Sequence, residues 1–139
     1  MKDADENRTP HPTAHRTPHP TPHPTPHPDL VLRARIRLLI RDHWALDGEE
    51  GLWVHRTLFA VNPRAHAYHL TRVLLGLSDH PRLADQPHAR RALLHEAVDA
   101  AAHIPTDAPW HQTRYEQFAR GALTRLDQEG RTPRPDSST

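Results

Sequence analysis

Between Thr9 and Pro28 the chain repeats one tetrapeptide. Thr9-Pro10-His11-Pro12 is followed by the variant Thr13-Ala14-His15-Arg16, and Thr-Pro-His-Pro then occupies 17–20, 21–24 and 25–28. Alternating prolines remove every second amide donor and fix φ, so this stretch can build neither a helix nor a sheet ladder. Residues 1–28 hold eight prolines and five histidines, but their only apolar residues are Met1, Ala4 and Ala14. Too little can be buried to offset the entropy of ordering, and a disordered His/Pro-rich N-terminal arm is expected. Residues 129–139 contain no apolar residue and are expected to form a second disordered tail. What folds must therefore fold from 29–128, which carries 46 hydrophobic residues and five prolines. That is one small domain.

Several functional classes fall away on the same residues. There is no cysteine, so a disulfide scaffold is excluded. Met1 to Arg8 lacks the apolar stretch of a signal peptide, and no apolar run approaches a membrane span. The expected address is the cytoplasm, with no membrane partner. Residues 29–128 hold 13 arginines against 12 carboxylates, so no overall basic excess marks a phosphate-binding domain.

The texture of the domain is helical. Leucine and alanine dominate while valine and isoleucine are few. Asp29 is expected to cap a first helix reaching Asp47, with Gly48 as its left-handed stop. Glu49 and Glu50 open a second helix to Val61, and Asn62-Pro63 caps a third to Leu77. Asp85 is expected to cap a fourth running to His103, and Thr106 or Asp107 a fifth fading at Glu129. Apolar stripes accompany them: Leu32, Ile36, Leu39, His43 and Leu46; then Leu70, Val73, Leu74 and Leu77; then Leu93, Ala97, Ala100 and Ile104; finally Tyr115, Phe118, Ala119, Ala122 and Leu126. The expected fold class is all-α, a compact bundle of about five short amphipathic helices.

Histidine is the residue that most invites a chemical reading. His11, His15, His19, His23 and His27 recur every four residues in the arm. In polyproline II that step advances about 12 Å and turns successive side chains about 120° apart, too far to share one ion. The arm therefore reads first as a spacer, with Zn²⁺ or Ni²⁺ binding at low affinity as the metal-handling alternative. Within the domain, His43, His66 and His111 fall beside apolar faces of three helices, the candidates for a buried cluster. His66 and His69 are spaced i, i+3, and His95-Glu96-Ala97-Val98-Asp99 resembles His-Glu-x-x-His except that Asp99 replaces the second histidine. No Glu-x-x-His pair accompanies them, so hydrogen-bonded core and surface imidazoles are the expected outcome, and no cofactor is required.

Catalysis has little to stand on. Serine occurs at 78, 137 and 138 alone, and Ser78-Asp79-His80 is contiguous, which forbids relay geometry. The five glycines build no phosphate-cradling loop. Arg33, Arg37 and Arg41, with Arg35 nearby, repeat at helical spacing and supply the nucleic-acid alternative: a regulator of replication or transcription contacting phosphates. Trp44 and Trp53 are the candidate anchors at a partner surface, where tryptophan is enriched. The leading expectation is a small non-enzymatic accessory or regulatory protein. It would act through contact with another protein or with itself as a homodimer.

Overall fold

The computed structural model describes residues 25–40 and 48–132. The first 24 residues, 41–47 and 133–139 lie outside that description, and with them most of the tetrapeptide arm, the expected end of the first helix near Asp47 and most of the 129–139 tail, whose residues 129–131 are helical. Five helices of at least thirteen residues form a bundle, and there is no strand among the described residues. They are α1 (Pro28–Ile40), α2 (Gly48–Val61), α3 (Pro63–Ser78), α4 (Pro87–Ala101) and α6 (Tyr115–Arg131). A 3₁₀ turn at Pro81–Leu83 and a single helical turn, α5 (Trp110–Thr113), complete the chain order. No helix among these residues is long and apolar enough to cross a membrane.

Local backbone chemistry explains the boundaries, including two that differ from expectation. Asn62 is both the end of α2 and the cap of α3: its amide donates to Leu58 O at 2.9 Å, and its side-chain oxygen accepts from Ala65 N at 3.3 Å. Pro63 fills the first helical position, where a missing amide costs nothing. Asp29 does not cap α1. The helix begins one residue earlier at Pro28, and the imidazole Nδ1 of His27 accepts from Asp29 N at 3.3 Å. The same arrangement recurs at His80-Pro81-Arg82, where His80 Nδ1 accepts from Arg82 N at 3.2 Å. Asp85 likewise does not cap α4: Pro87 takes the first helical position, and Gln86, at the cap position, makes no side-chain capping hydrogen bond. Gly48 adopts φ 66°, the left-handed conformation expected of it, and stands at the first residue of α2.

The expected fifth helix is divided. Pro109 precedes the single turn of α5, and Arg114 at φ −67°, ψ −17° separates that turn from α6. The divide turns Tyr115 toward α3, where its ring meets Tyr68 edge-on at 5.1 Å.

α3 lies at the centre and packs against α2, α4 and α6. Its Leu70 and Leu74 meet Ala97 and Ala100 of α4 and Ala119 of α6, all buried. The alanines let these helices approach closely, with the two leucines filling the space between them. A second cluster joins Ala67 and Tyr68 of α3 to Ala101 and Ile104 after α4. Polar clamps add register: Arg90 Nε donates to Ser78 O at 3.2 Å, satisfying a carbonyl at the end of α3, and Arg91 pairs with Asp127 of α6 at 2.9 Å.

α1 breaks the expected pattern. Its partner is α2, and the contact is made by buried Ala34 against Val54 and Leu58, flanked by Val31, Leu38 and Trp53. The stripe expected to face the core, Leu32, Ile36 and Leu39, is exposed instead. The helix carries two apolar faces and, among the described residues, has one substantial neighbour. Ala34 allows the closer helix approach, so its face is the one buried.

Candidate functional site

The outward face of α1 follows from that choice. At 100° per residue, Leu32, Ile36 and Leu39 share the side opposite Ala34, with Ile40 at its edge. Leu39 is 87 % exposed and Ile40 71 %. Round the helix, Leu30 and Ile36 join Trp53 of α2 in lining an open groove of about 560 Å³, rimmed by Arg33 and Arg37. Trp53 is half-buried there, held against the α1–α2 core, as suits an anchor that already belongs to the fold. Trp44, the other anchor expected from sequence, lies outside the described residues.

Two members of the expected arginine stripe fall within the described residues. Arg33 and Arg37 sit on one side of α1, while Arg35 projects from the other side of the apolar face. Arg37 Nη1 stands 3.5 Å from Glu50 Oε1 on α2, so part of its charge is engaged within the fold. Arg41 lies outside the described residues.

The histidines assemble differently from expectation. His43 is outside the described residues, His66 is half-buried on α3, and His111 is exposed on α5, so His111 is no member of a buried cluster. The wholly buried imidazole is His55 of α2, stacked on His69 of α3 with ring centroids 5.4 Å apart and planes 15° from parallel. His69 thus meets an imidazole across the helix interface, and the Tyr68 ring beside it at 5.1 Å. Nothing in the spacing of His55 singled it out; the signal was its place on the Leu52/Phe59 side of α2. No group of three or more His, Cys, Asp or Glu side chains comes together among the described residues. Of the arm's histidines, His11, His15, His19 and His23 lie outside the description, and His27 serves as the α1 cap.

Other residues with chemical promise are committed to structure. The Ser78 hydroxyl donates to Leu75 O at 2.7 Å and is buried, so it is not poised as a nucleophile. Glu96 receives both Nε, at 2.6 Å, and Nη2 of Arg56 in a fork joining α4 to α2, which raises the Arg56 pKa. His95, Asp99 and His103 are exposed.

Sequence reasoning missed one surface. On α5 and α6 the Arg114 guanidinium lies 4.9 Å from the Trp110 ring centroid and 5.0 Å from that of Phe118. Trp110 is 72 % exposed, and Phe118 is exposed as well. The i, i+4, i+8 spacing of Trp110, Arg114 and Phe118 was the available signal, but only Phe118 was singled out, as part of a core stripe. No protein-family model, no curated protein and no solved structure matches the chain.

Proposed function

We propose that this chain is a small non-enzymatic accessory protein of the cytoplasm. It needs no cofactor and acts by docking another protein on the outward face of α1. One observation carries the reading: Leu32, Ile36, Leu39 and Ile40 form a contiguous aliphatic face in water on a helix whose opposite face is already packed. Large exposed apolar patches on small folded domains mark interaction surfaces, because leaving them wet forfeits burial energy. Arginines on both flanks of the face disfavour a second copy as the occupant. Antiparallel pairing of two α1 helices about Ile36 would set Arg35 beside Arg35 of the other copy on one flank and the Arg33/Arg37 pair beside its counterpart on the other, with Asp29 the helix's one carboxylate.

A photo-crosslinking residue at position 39 of the full-length chain, in its native cells, tests this. A defined protein should be captured from position 39 and lost when Leu32 and Ile36 become serine. The same protein should not be captured from position 99, exposed on α4. Equal capture from both positions, or capture indifferent to the serines, refutes the reading. Crosslinked homodimers would replace it with self-association. The apolar face is preferred to the nucleic-acid and metal alternatives because Glu50 engages part of the Arg37 charge, and no group of three or more His, Cys, Asp or Glu side chains gathers among the described residues.

A further inference from the structure

A second surface, on the far side of α2 and α3 from α1, carries its own recognition chemistry. On the α6 cylinder Arg114, Phe118, Gly121 and Arg125 fall within about 60° of one line. Phe118, Gly121, Ala122 and Arg125 form one wall of a groove of about 420 Å³ whose other wall is Leu75, Ser78 and Asp79 at the end of α3. At its head stands the ladder Trp110–Arg114–Phe118. Tyr115 holds Phe118 edge-on at 5.3 Å, so the rings are set by the fold and do not wait on a ligand for their orientation.

Three features go unused by the fold. Trp110 is the most exposed aromatic side chain of the described residues. Arg114 is an exposed residue whose guanidinium lies over two aromatic rings, contacts that use its π surface and not its N–H donors, and a guanidinium can grip a carboxylate through those donors in a bidentate fork. Gly121 sits mid-helix, where glycine costs stability relative to alanine, and a Cβ there would meet nothing within 4 Å. Packing gives no reason for it. Its effect is to deepen the groove beside Phe118.

We propose that this groove docks an acidic amphipathic segment of another protein: a carboxylate on the Arg114 edge, with an apolar side chain between Phe118, Leu75 and Gly121. Charge and composition select that occupant. Arg120, one residue round the helix, is already paired with Glu116 at 3.0 Å, which leaves Arg114 as the cation at the head of the groove. Asp79 sits at the Arg125 end, so the acidic group of the ligand belongs at the Arg114 end. The chain's own tail does not qualify, because residues 129–139 contain no apolar side chain to enter the groove. With α1 presenting its face elsewhere, the molecule becomes a two-sided adaptor.

The test is selection of a display library of random peptides, about twelve residues long, on the full-length chain; that length spans the groove in helical or extended form. Recovered binders should pair Asp or Glu with a large apolar residue. They should lose at least about tenfold affinity to Arg114→Gln and to Gly121→Leu, followed by Trp110 fluorescence. Gly121→Leu places its side chain in open space on a helix, so its fold is preserved and its thermal midpoint should equal or exceed that of the parent. Binders without acidic bias, binders indifferent to both substitutions, or no binders at about 1 mM peptide overturn the proposal. Binders lost with Leu39→Ser but kept with Gly121→Leu belong to α1, and overturn it equally.

Discussion

Leu39→Ala should leave the stability of this protein nearly untouched, although the residue lies on the more conspicuous apolar stripe of α1. Leu39 is 87 % exposed, so about an eighth of its side chain is sheltered. Full burial of a leucine contributes about 1.5–3 kcal/mol, which leaves roughly 0.2–0.4 kcal/mol at stake here. Alanine's better helix propensity offsets part of that. Leu58→Ala is the matched control. Leu58 is 2 % exposed and packs with Ala34 and Val54 in the contact that holds α1 on α2. Truncating it leaves a cavity and should cost about 2–5 kcal/mol. Urea unfolding followed by circular dichroism separates the two. With a slope of about 1–3 kcal/mol per molar, Leu58→Ala lowers the midpoint by roughly 1–2 M, while Leu39→Ala moves it by less than about 0.3 M. A loss for Leu39→Ala comparable to that of Leu58→Ala would refute the inward orientation of Ala34. Repeating the series at two protein concentrations distinguishes a buried Leu39 from one covered by a second copy, since only the latter makes the midpoint depend on concentration.

Three further outcomes follow from named contacts. Asn62→Ala removes the side-chain acceptor for Ala65 N and should cost about 0.5–2 kcal/mol in thermal or urea unfolding. Glu96→Gln breaks the charged fork to Arg56 between partly exposed groups, and should cost no more than about 1 kcal/mol, a difference that shrinks in high salt. Burial is the main cause that raises the Tyr68 hydroxyl above its ordinary pKa of 10.0, with the charge of neighbouring Tyr115 adding to it and Arg72 and Arg114 opposing. Above about pH 10 the unfolded chain releases this proton before the folded one does, so stability present at neutral pH declines as pH rises toward the folded value. Tyr68→Phe should remove that part of the alkaline decline in unfolding midpoints; an unchanged slope would assign the decline to other groups.

Much of the fold was legible because its signals are local. Asn62-Pro63 marks a helix start by a side-chain acceptor and a fixed φ, His27-Pro28 does so with an imidazole acceptor, and Pro87 by its ring alone, the last two overriding a nearby aspartate. The stripes of α3 and α4 were readable because each of those helices has one dominant apolar face: Leu70, Val73 and Leu74 are buried, as are Ala97, Ala100 and Ile104. The candidate site was much less legible. Phe118 was expected in one stripe with Ala119 and Leu126, and spacing cannot say that it is the one left in water; Trp110, on the separate turn of α5, belonged to no stripe. The same limit applied to His55 and His69, on different helices and paired through the α2–α3 interface.

Two kinds of information are therefore separable in this molecule. Where helices begin and end, and which stretches can enter a core at all, depend on amide donors, allowed φ and apolar content; these act within a few residues and precede any tertiary contact. Which face of a helix is dry depends on how many neighbours it has, and that number belongs to the assembled bundle. Among the described residues, α3 has three neighbours and buries its stripe, whereas α1 has one substantial neighbour and two apolar faces. Close approach at Ala34 wins the inner position, and Leu32, Ile36 and Leu39 are left facing outward, which is where the proposed function begins.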